Sequence, residues 1–163
     1  MQLTRAADYA VRIMIHMAQV PAGTRERTAA LAEAGGIPRE FLSKVLQRLV
    51  KVGLLRSHRG SSGGFQLSHP AASVSLLDVI EAIEGPTHLN QCLISENACD
   101  RHATCPAHPV WIQAQEELVK VLGGVSLAEM ASTVRSADSP TPACWERRGK
   151  STLLAITPPE TPR

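Results

Sequence analysis

The forty residues from Thr28 to Leu67 constrain this chain most, because two short helical segments and a glycine-rich hairpin follow one another there almost without spacers. Thr28 stands where an N-cap would, ahead of a short helix from Ala29 to Ala34 that Gly35-Gly36 ends. Pro38 occupies a favoured first-turn position of a second helix, which runs to about Val52. Phe41, Leu42, Val45, Leu46, Leu49 and Val50 keep a helical spacing and are expected in the core. Arg39, Glu40, Ser43, Lys44, Gln47, Arg48 and Lys51 form the other, basic face, and Gly53 ends the helix. Leu54-Leu55-Arg56-Ser57-His58 and Phe65-Gln66-Leu67 then read as two short strands. Between them, Arg59-Gly60-Ser61-Ser62-Gly63-Gly64 makes a tip whose glycines permit positive φ and close approach to another surface, such as a phosphate ridge. Two short helices joined by a glycine-containing turn, the second basic outside, predict a winged helix-turn-helix.

The flanks supply the remaining core. Over residues 4–20, Ala6, Ala7, Ala10, Val11, Ile13, Met14, Met17 and Ala18 repeat as on one helix, with Thr4 as N-cap and Asp8 near the positive end of the helix dipole. Pro21-Ala22-Gly23 breaks it. A further helix is predicted over 75–83, burying Leu76, Val79, Ile80 and Ile83 and closed by Gly85-Pro86. Residues 87–108 lack periodicity and hold three cysteines, so they read as a loop organised by something other than packing. Pro109 opens a helix to about Leu122, and Trp111, Ala114, Leu118, Val121 and Val125 form an apolar stripe suited to pairing with another helix. A short helix follows over 126–134. The last 28 residues contain five prolines and no periodicity, which predicts a disordered tail. The expected fold class is therefore mainly α with a small β-wing. A winged helix-turn-helix domain (1–85) leads into a cysteine-rich loop (86–108), a dimerisation helix with a short C-terminal helix (109–134), and the tail (135–163).

Charge sorts along the chain. Residues 1–60 hold ten Lys/Arg against four Asp/Glu, whereas residues 61–135 hold three against eight. A basic third joined to an acidic middle suits a polyanion partner for the first part and another task for the second. No apolar run approaches the ~20 residues a membrane span needs. Asp8, Arg12 and His16 interrupt the N-terminal apolar stretch, unlike a signal peptide, so the cytoplasm is the expected compartment. Of the four cysteines, Cys92, Cys99 and Cys105 cluster and Cys144 stands alone in the tail, where it reads as incidental. In a reducing compartment such a cluster points to metal binding or redox chemistry rather than a disulfide framework. Nothing pairs an activated nucleophile with a positioned base, so no enzyme is expected.

Several ordered pieces carry a resemblance. They are Met1-Gln2-Leu3-Thr4 and Asp8-Tyr9-Ala10-Val11-Arg12, then Gly36-Ile37-Pro38 leading into Phe41-Leu42, Leu46 and Leu49. Gly53-Leu54-Leu55, the wing Arg59-Gly60-x-x-Gly63-Gly64-Phe65, and Leu76-Leu77-Asp78-Val79-Ile80 follow, and a Cys-x6-Cys-x5-Cys loop precedes the long helix. Over residues 1–134 the chain resembles the BadM/IscR/NsrR-type winged-helix regulators, many of which carry an iron–sulfur cluster.

The position of Arg39, Glu40, Ser43 and Lys44 at the outer start of the second motif helix places them toward the major groove. There, Arg and Lys can donate to guanine and Glu can accept from cytosine. A merely solvated polar face is the competing reading. Arg48, Lys51 and Arg56 suit phosphate contacts, which position without specifying. The resemblance implies that Arg59 reaches the minor groove, that the long helix forms a homodimer on double-stranded DNA, and that Cys92, Cys99 and Cys105 hold an iron–sulfur cluster of two or four irons. A fourth ligand varies in such proteins. Here Asp8, supplied across a dimer, and His108, as Cys105-x-x-His108, both qualify, with His102 a third option. Zinc on the same cysteines with a histidine, or plain thiol chemistry, would serve the same loop. The implied function is transcription regulation, repression included, in which nitric oxide, redox state or iron sets operator affinity, with a lean toward nitric oxide.

Overall fold

In the computed structural model, residues 2–60, 63–101 and 103–135 are described; the predicted tail with Cys144, and His102, lie outside the described residues. Helix α1 (Arg5–Gln19) starts where expected, with the Thr4 hydroxyl accepting the Ala7 N–H at 3.4 Å. Ala7, Ala10, Ile13, Met14 and Met17 are buried, and α1 is the core's hub: the helices Thr28–Gly35, Arg39–Lys51, Leu76–Glu84 and Leu127–Arg135 and one strand of the wing pack against it. Its N-cap is tied down as well, since the Thr4 N–H and hydroxyl donate to Glu84 Oε1 at 3.0 and 2.6 Å.

Helix α2 (Thr28–Gly35) and helix α3 (Arg39–Lys51) form the helix-turn-helix. Two details differ from the sequence expectation. Thr28 is the first helical residue and not its cap, the cap position being held by Arg27, whose side chain makes no capping hydrogen bond. Pro38 is likewise the cap residue and not part of the first turn. The turn is closed by Gly36, whose φ of +61° lets its N–H meet the Ala32 and Glu33 carbonyls. Leu42, Val45, Leu46 and Leu49 are buried as predicted, but Phe41 is 53% exposed. At 100° per residue Phe41 lies about a quarter-turn from the centre of that stripe, on its edge and not under it.

Strands β1 (Leu55–His58) and β2 (Gly64–Leu67) pair antiparallel, with Leu55 opposite Leu67 and His58 opposite Gly64. The linker between α1 and α2 adds a bridge to this wing: the Glu26 N–H donates to Phe65 O at 2.9 Å, and the Phe65 N–H to Glu26 O at 2.8 Å. Helix α4 (Leu76–Glu84) buries Val79, Ile80 and Ile83, while Leu76 is half-buried. Its capping box joins Ser75 and Asp78, each accepting the other's N–H. Helix α6 (Leu127–Arg135) repeats the device with Ser126 and Glu129. The two caps lie side by side, the Leu76 N–H donating to Val125 O and the Leu127 N–H to Val74 O. That bridge returns α6 to α1 and closes the core.

Helix α5 (His108–Gly123) differs from the others, because none of its residues is fully buried within one chain. Val110, Trp111, Ile112, Val119 and Val121 are exposed, whereas Ala114 and Leu118 of the predicted stripe are half-covered by the chain itself. The preceding segment is more ordered than its lack of periodicity predicts. Two short 3-10 turns, Gln91–Leu93 and Glu96–Ala98, shape it.

Candidate nucleic-acid surface and cysteine site

On α3 the candidate reading residues divide by angle. Arg39, Glu40, Ser43, Lys44, Arg48 and Lys51 are all exposed. Glu40, Lys44, Gln47 and Lys51 project away from the buried stripe, with Arg39 and Ser43 on one flank and Arg48 on the opposite flank beside Phe41. The Ser43 hydroxyl donates back to Arg39 O at 3.3 Å, which turns its lone pairs outward. The candidate residues of α3 therefore do not form one face: the outward row is bracketed by an arginine on either side.

Arg39 also lines an open groove between the start of α2 and the wing, together with Arg27, Thr28, His58 and Phe65. Arg27 escaped the sequence reading. Its only signal was a basic residue just before a short helix. Arg56 and Arg59 are exposed, on β1 and just beyond it. Gly60 and Gly64 have positive φ, as expected, and two of the wing glycines also approach backbone within this chain. A Cβ on Gly64 would lie 2.6 Å from the Glu26 carbonyl oxygen, and one on Gly63 would lie 2.5 Å from that of His58. At Gly63 and Gly64 the close neighbour is this chain's own backbone.

Cys92, Cys99 and Cys105 are gathered around one cavity of about 210 Å³, with Asn90, Gln91, His108 and Trp111 on its walls. Each cysteine is half-buried, and none is in a disulfide. Cys92 is the middle residue of the first 3-10 turn, which the Asn90 side chain caps by accepting the Gln91 N–H at 2.9 Å. Cys99 directly follows the second turn. The Cys105 N–H donates to Arg101 O at 2.8 Å, and Cys105 O accepts the His108 N–H at 3.1 Å, so the third cysteine is built into the start of α5. Three soft thiols and an imidazole are a donor set that suits an iron–sulfur cluster or zinc. Among the described residues, no three His, Cys, Asp or Glu side chains close to metal-holding geometry. Asp8 is not on this cavity. It lies on α1, with its carboxylate 2.7 Å from the Arg12 guanidinium.

The root of the loop is held by side chains from two helices. The Thr87 N–H donates to Glu81 Oε1 of α4 at 2.9 Å. From α5, Gln115 Nε2 donates to Thr87 O at 2.6 Å while Gln115 Oε1 accepts the Leu89 N–H at 2.9 Å.

Residues 3–133 match the family model described as Rrf2, iron-dependent transcriptional regulator. An HTH-type transcriptional regulator of Mycobacterium tuberculosis (strain H37Rv) is 34% identical over 131 residues, which are 80% of this chain and 81% of the relative. Among solved structures, CymR, the global cysteine regulator of B. subtilis, is similar with a TM-score of 0.67 at 23% identity, over 82% of this chain and 98% of that one. IscR of T. potens gives 0.68 at 22%, over 86% and 93%. The oxidized form of Staphylococcus aureus CymR gives 0.63 at 26%, over 80% and 96%.

Proposed function

The chain belongs to the Rrf2 family of transcriptional regulators, which includes the IscR- and NsrR-type proteins, and we propose on that footing that the cysteine loop is the input of a dimeric DNA-binding switch. The output half is a DNA-binding transcription regulator with a winged helix-turn-helix fold. None of its described helices is long and apolar enough to cross a membrane. Such a regulator works beside the genome, in the cytoplasm.

In this reading the start of α3 enters the major groove. Glu40 and Lys44 face base edges, Arg39 and Ser43 lie toward the wing, and Arg48 and Lys51 neutralise phosphates. Arg59 reaches an adjacent narrow minor groove. Two copies pair through the exposed apolar residues of α5, so that two heads address a two-fold operator.

Cys92, Cys99 and Cys105 hold an iron–sulfur cluster, and His108 or an Asp8 supplied across the dimer completes it. When bound, the cluster supplies iron–thiolate bonds that nitric oxide, oxygen or iron shortage can break. The three thiolates then fix the two 3-10 turns against the start of α5, whereas without that restraint the loop relaxes. The cavity with three thiols and His108 on its walls carries this reading.

Anaerobic purification tests it. Visible absorption that bleaches with nitric oxide, and is lost in Cys92→Ala, Cys99→Ala or Cys105→Ala, is expected; a colourless protein with stoichiometric zinc refutes it. On the DNA side, Arg59→Ala weakens operator binding by about 1–3 kcal/mol, and unchanged affinity removes Arg59 from the interface. A second reading, regulation by the thiols themselves, draws on the unconverged donor geometry and the similarity to CymR in an oxidized form. It predicts operator release on mild oxidation, with reductant restoring binding and no metal required.

A further inference from the structure

The cysteine loop and α5 are joined by the chain itself, which runs from Cys105 into His108, and where His108 and Trp111 wall the cysteine cavity. Farther along the helix a side chain adds another link. Gln115, two turns into α5, accepts from Leu89 and donates to Thr87 across 26 and 28 residues of sequence. The amide orientation follows from its partners, since a backbone N–H can only donate and a carbonyl can only accept. Its bonds are partly shielded from water, at 2.6 and 2.9 Å, and Thr87 between Gln115 and Glu81 is buried. His108, Trp111 and Gln115 follow one another at three- and four-residue spacing, so one face of α5 meets the cysteine cavity with its first two members and the loop's root with the third.

We propose that Gln115 is the positioning residue that transmits a change in the cysteine loop to the middle of α5. The clamp holds both polar groups of the loop root at once, so the root cannot shift by an ångström without losing a bond or carrying Gln115 along. Movement passed only through the chain and the cavity wall at His108 and Trp111 would act on the first turn of α5 and stop there. Movement coupled through Gln115 reaches the third and fourth turns, the part that carries Val119 and Val121. The inference rests on the loop being the input assigned above. Its readout is not operator affinity, so failure of the coupling and failure of the regulatory reading are told apart.

The test uses the full chain with Cys144→Ala, so that N-ethylmaleimide reaches only the loop thiols. Amide hydrogen exchange is followed along α5 before and after alkylation. With Gln115 present, alkylation accelerates exchange at residues 115–119 by about fivefold, the scale of one lost hydrogen bond. In Gln115→Leu the first turn of α5 still responds, because the chain connects it to Cys105, but residues 115–119 do not. Gln115→Asn, one methylene too short to span Thr87 and Leu89, keeps the polarity and behaves as Gln115→Leu does, guarding against a folding defect of the apolar variant. An equal response at 115–119 with and without the Gln115 side chain, or none in its presence, overturns the proposal.

Discussion

Gly64→Ala measures how firmly the wing is tied to the body of the protein. The new methyl would lie 2.6 Å from the Glu26 carbonyl oxygen and 3.0 Å from its carbon, both backbone atoms that no rotamer can move aside. Ordinary contact needs Glu26 to retreat by most of an ångström. Its two bonds with Phe65, now 2.9 and 2.8 Å, would then exceed hydrogen-bonding distance. At about 0.5–1.5 kcal/mol each, losing both destabilises the fold by roughly 1–3 kcal/mol. Urea unfolding followed by circular dichroism should show the midpoint falling with little change in slope. Hydrogen exchange should show the Glu26 and Phe65 amides losing protection. Gly60→Ala provides the contrast. That residue has φ +103°, and a methyl added there would meet nothing within 4 Å among the described residues beyond its chain neighbours, so its cost of about 1–3 kcal/mol comes from backbone conformation and leaves the Glu26 amide protected. A Gly64→Ala protein that unfolds at the original midpoint with both amides protected would refute the reasoning.

Phe41→Ala should lower stability by less than about 1.5 kcal/mol, against the roughly 3–5 typical of a buried phenylalanine, because about half of the residue is already in water; a core-sized loss in urea unfolding would contradict its edge position. Trp111 borders the cysteine cavity, so in a Trp145→Phe background its fluorescence should be quenched as iron or another coloured metal centre is loaded, and unaltered emission would place the metal elsewhere. The Glu129 carboxyl is held below its ordinary value of 4.5 by accepting bonds from the Ser126 backbone and side chain. Its folded pKa being the lower one, its contribution to α6 is complete above that ordinary value and disappears as pH falls through the depressed one. Exchange protection of the Ser126 amide should follow that course on acidification, and Glu129→Gln should abolish the dependence.

The helices were legible because α1, α3 and α4 each bury a single stripe, and a stripe is a local pattern. Its edges were not legible. Phe41 lies on the edge of the α3 stripe, where spacing alone does not decide burial, and the packing of α3 leaves it half exposed. The caps of α4 and α6 were written as Ser75-x-x-Asp78 and Ser126-x-x-Glu129, but their pairing into a bridge depends on chain reversal, which neither quartet records. The cysteine spacing named three candidate ligands. It could not assign the fourth, because His108 owes its place on the cavity to the turn that Cys105 O closes, and Asp8 is remote along the chain. The Asp8–Arg12 pair is about half exposed, so it contributes little to stability and does not mark Asp8 for a structural role.

Gly64 and Gln115 show the same limit from opposite sides. The sequence marks Gly64 as a position where something comes close, and the fold places the Glu26 backbone there. Gln115 carries no mark at all, being one more polar residue on a long helix, yet it is the side chain that fastens the loop root to α5. Both residues act on backbone far away in sequence, and backbone atoms have no side-chain identity for a motif to register. Candidate ligand contacts announce themselves by residue type, as Arg59 and the cysteines do. Residues that would connect such sites mechanically are ordinary ones in particular places, so in a switch of the proposed kind the coupling has to be read from the fold even where the candidate input and output can be read from the chain.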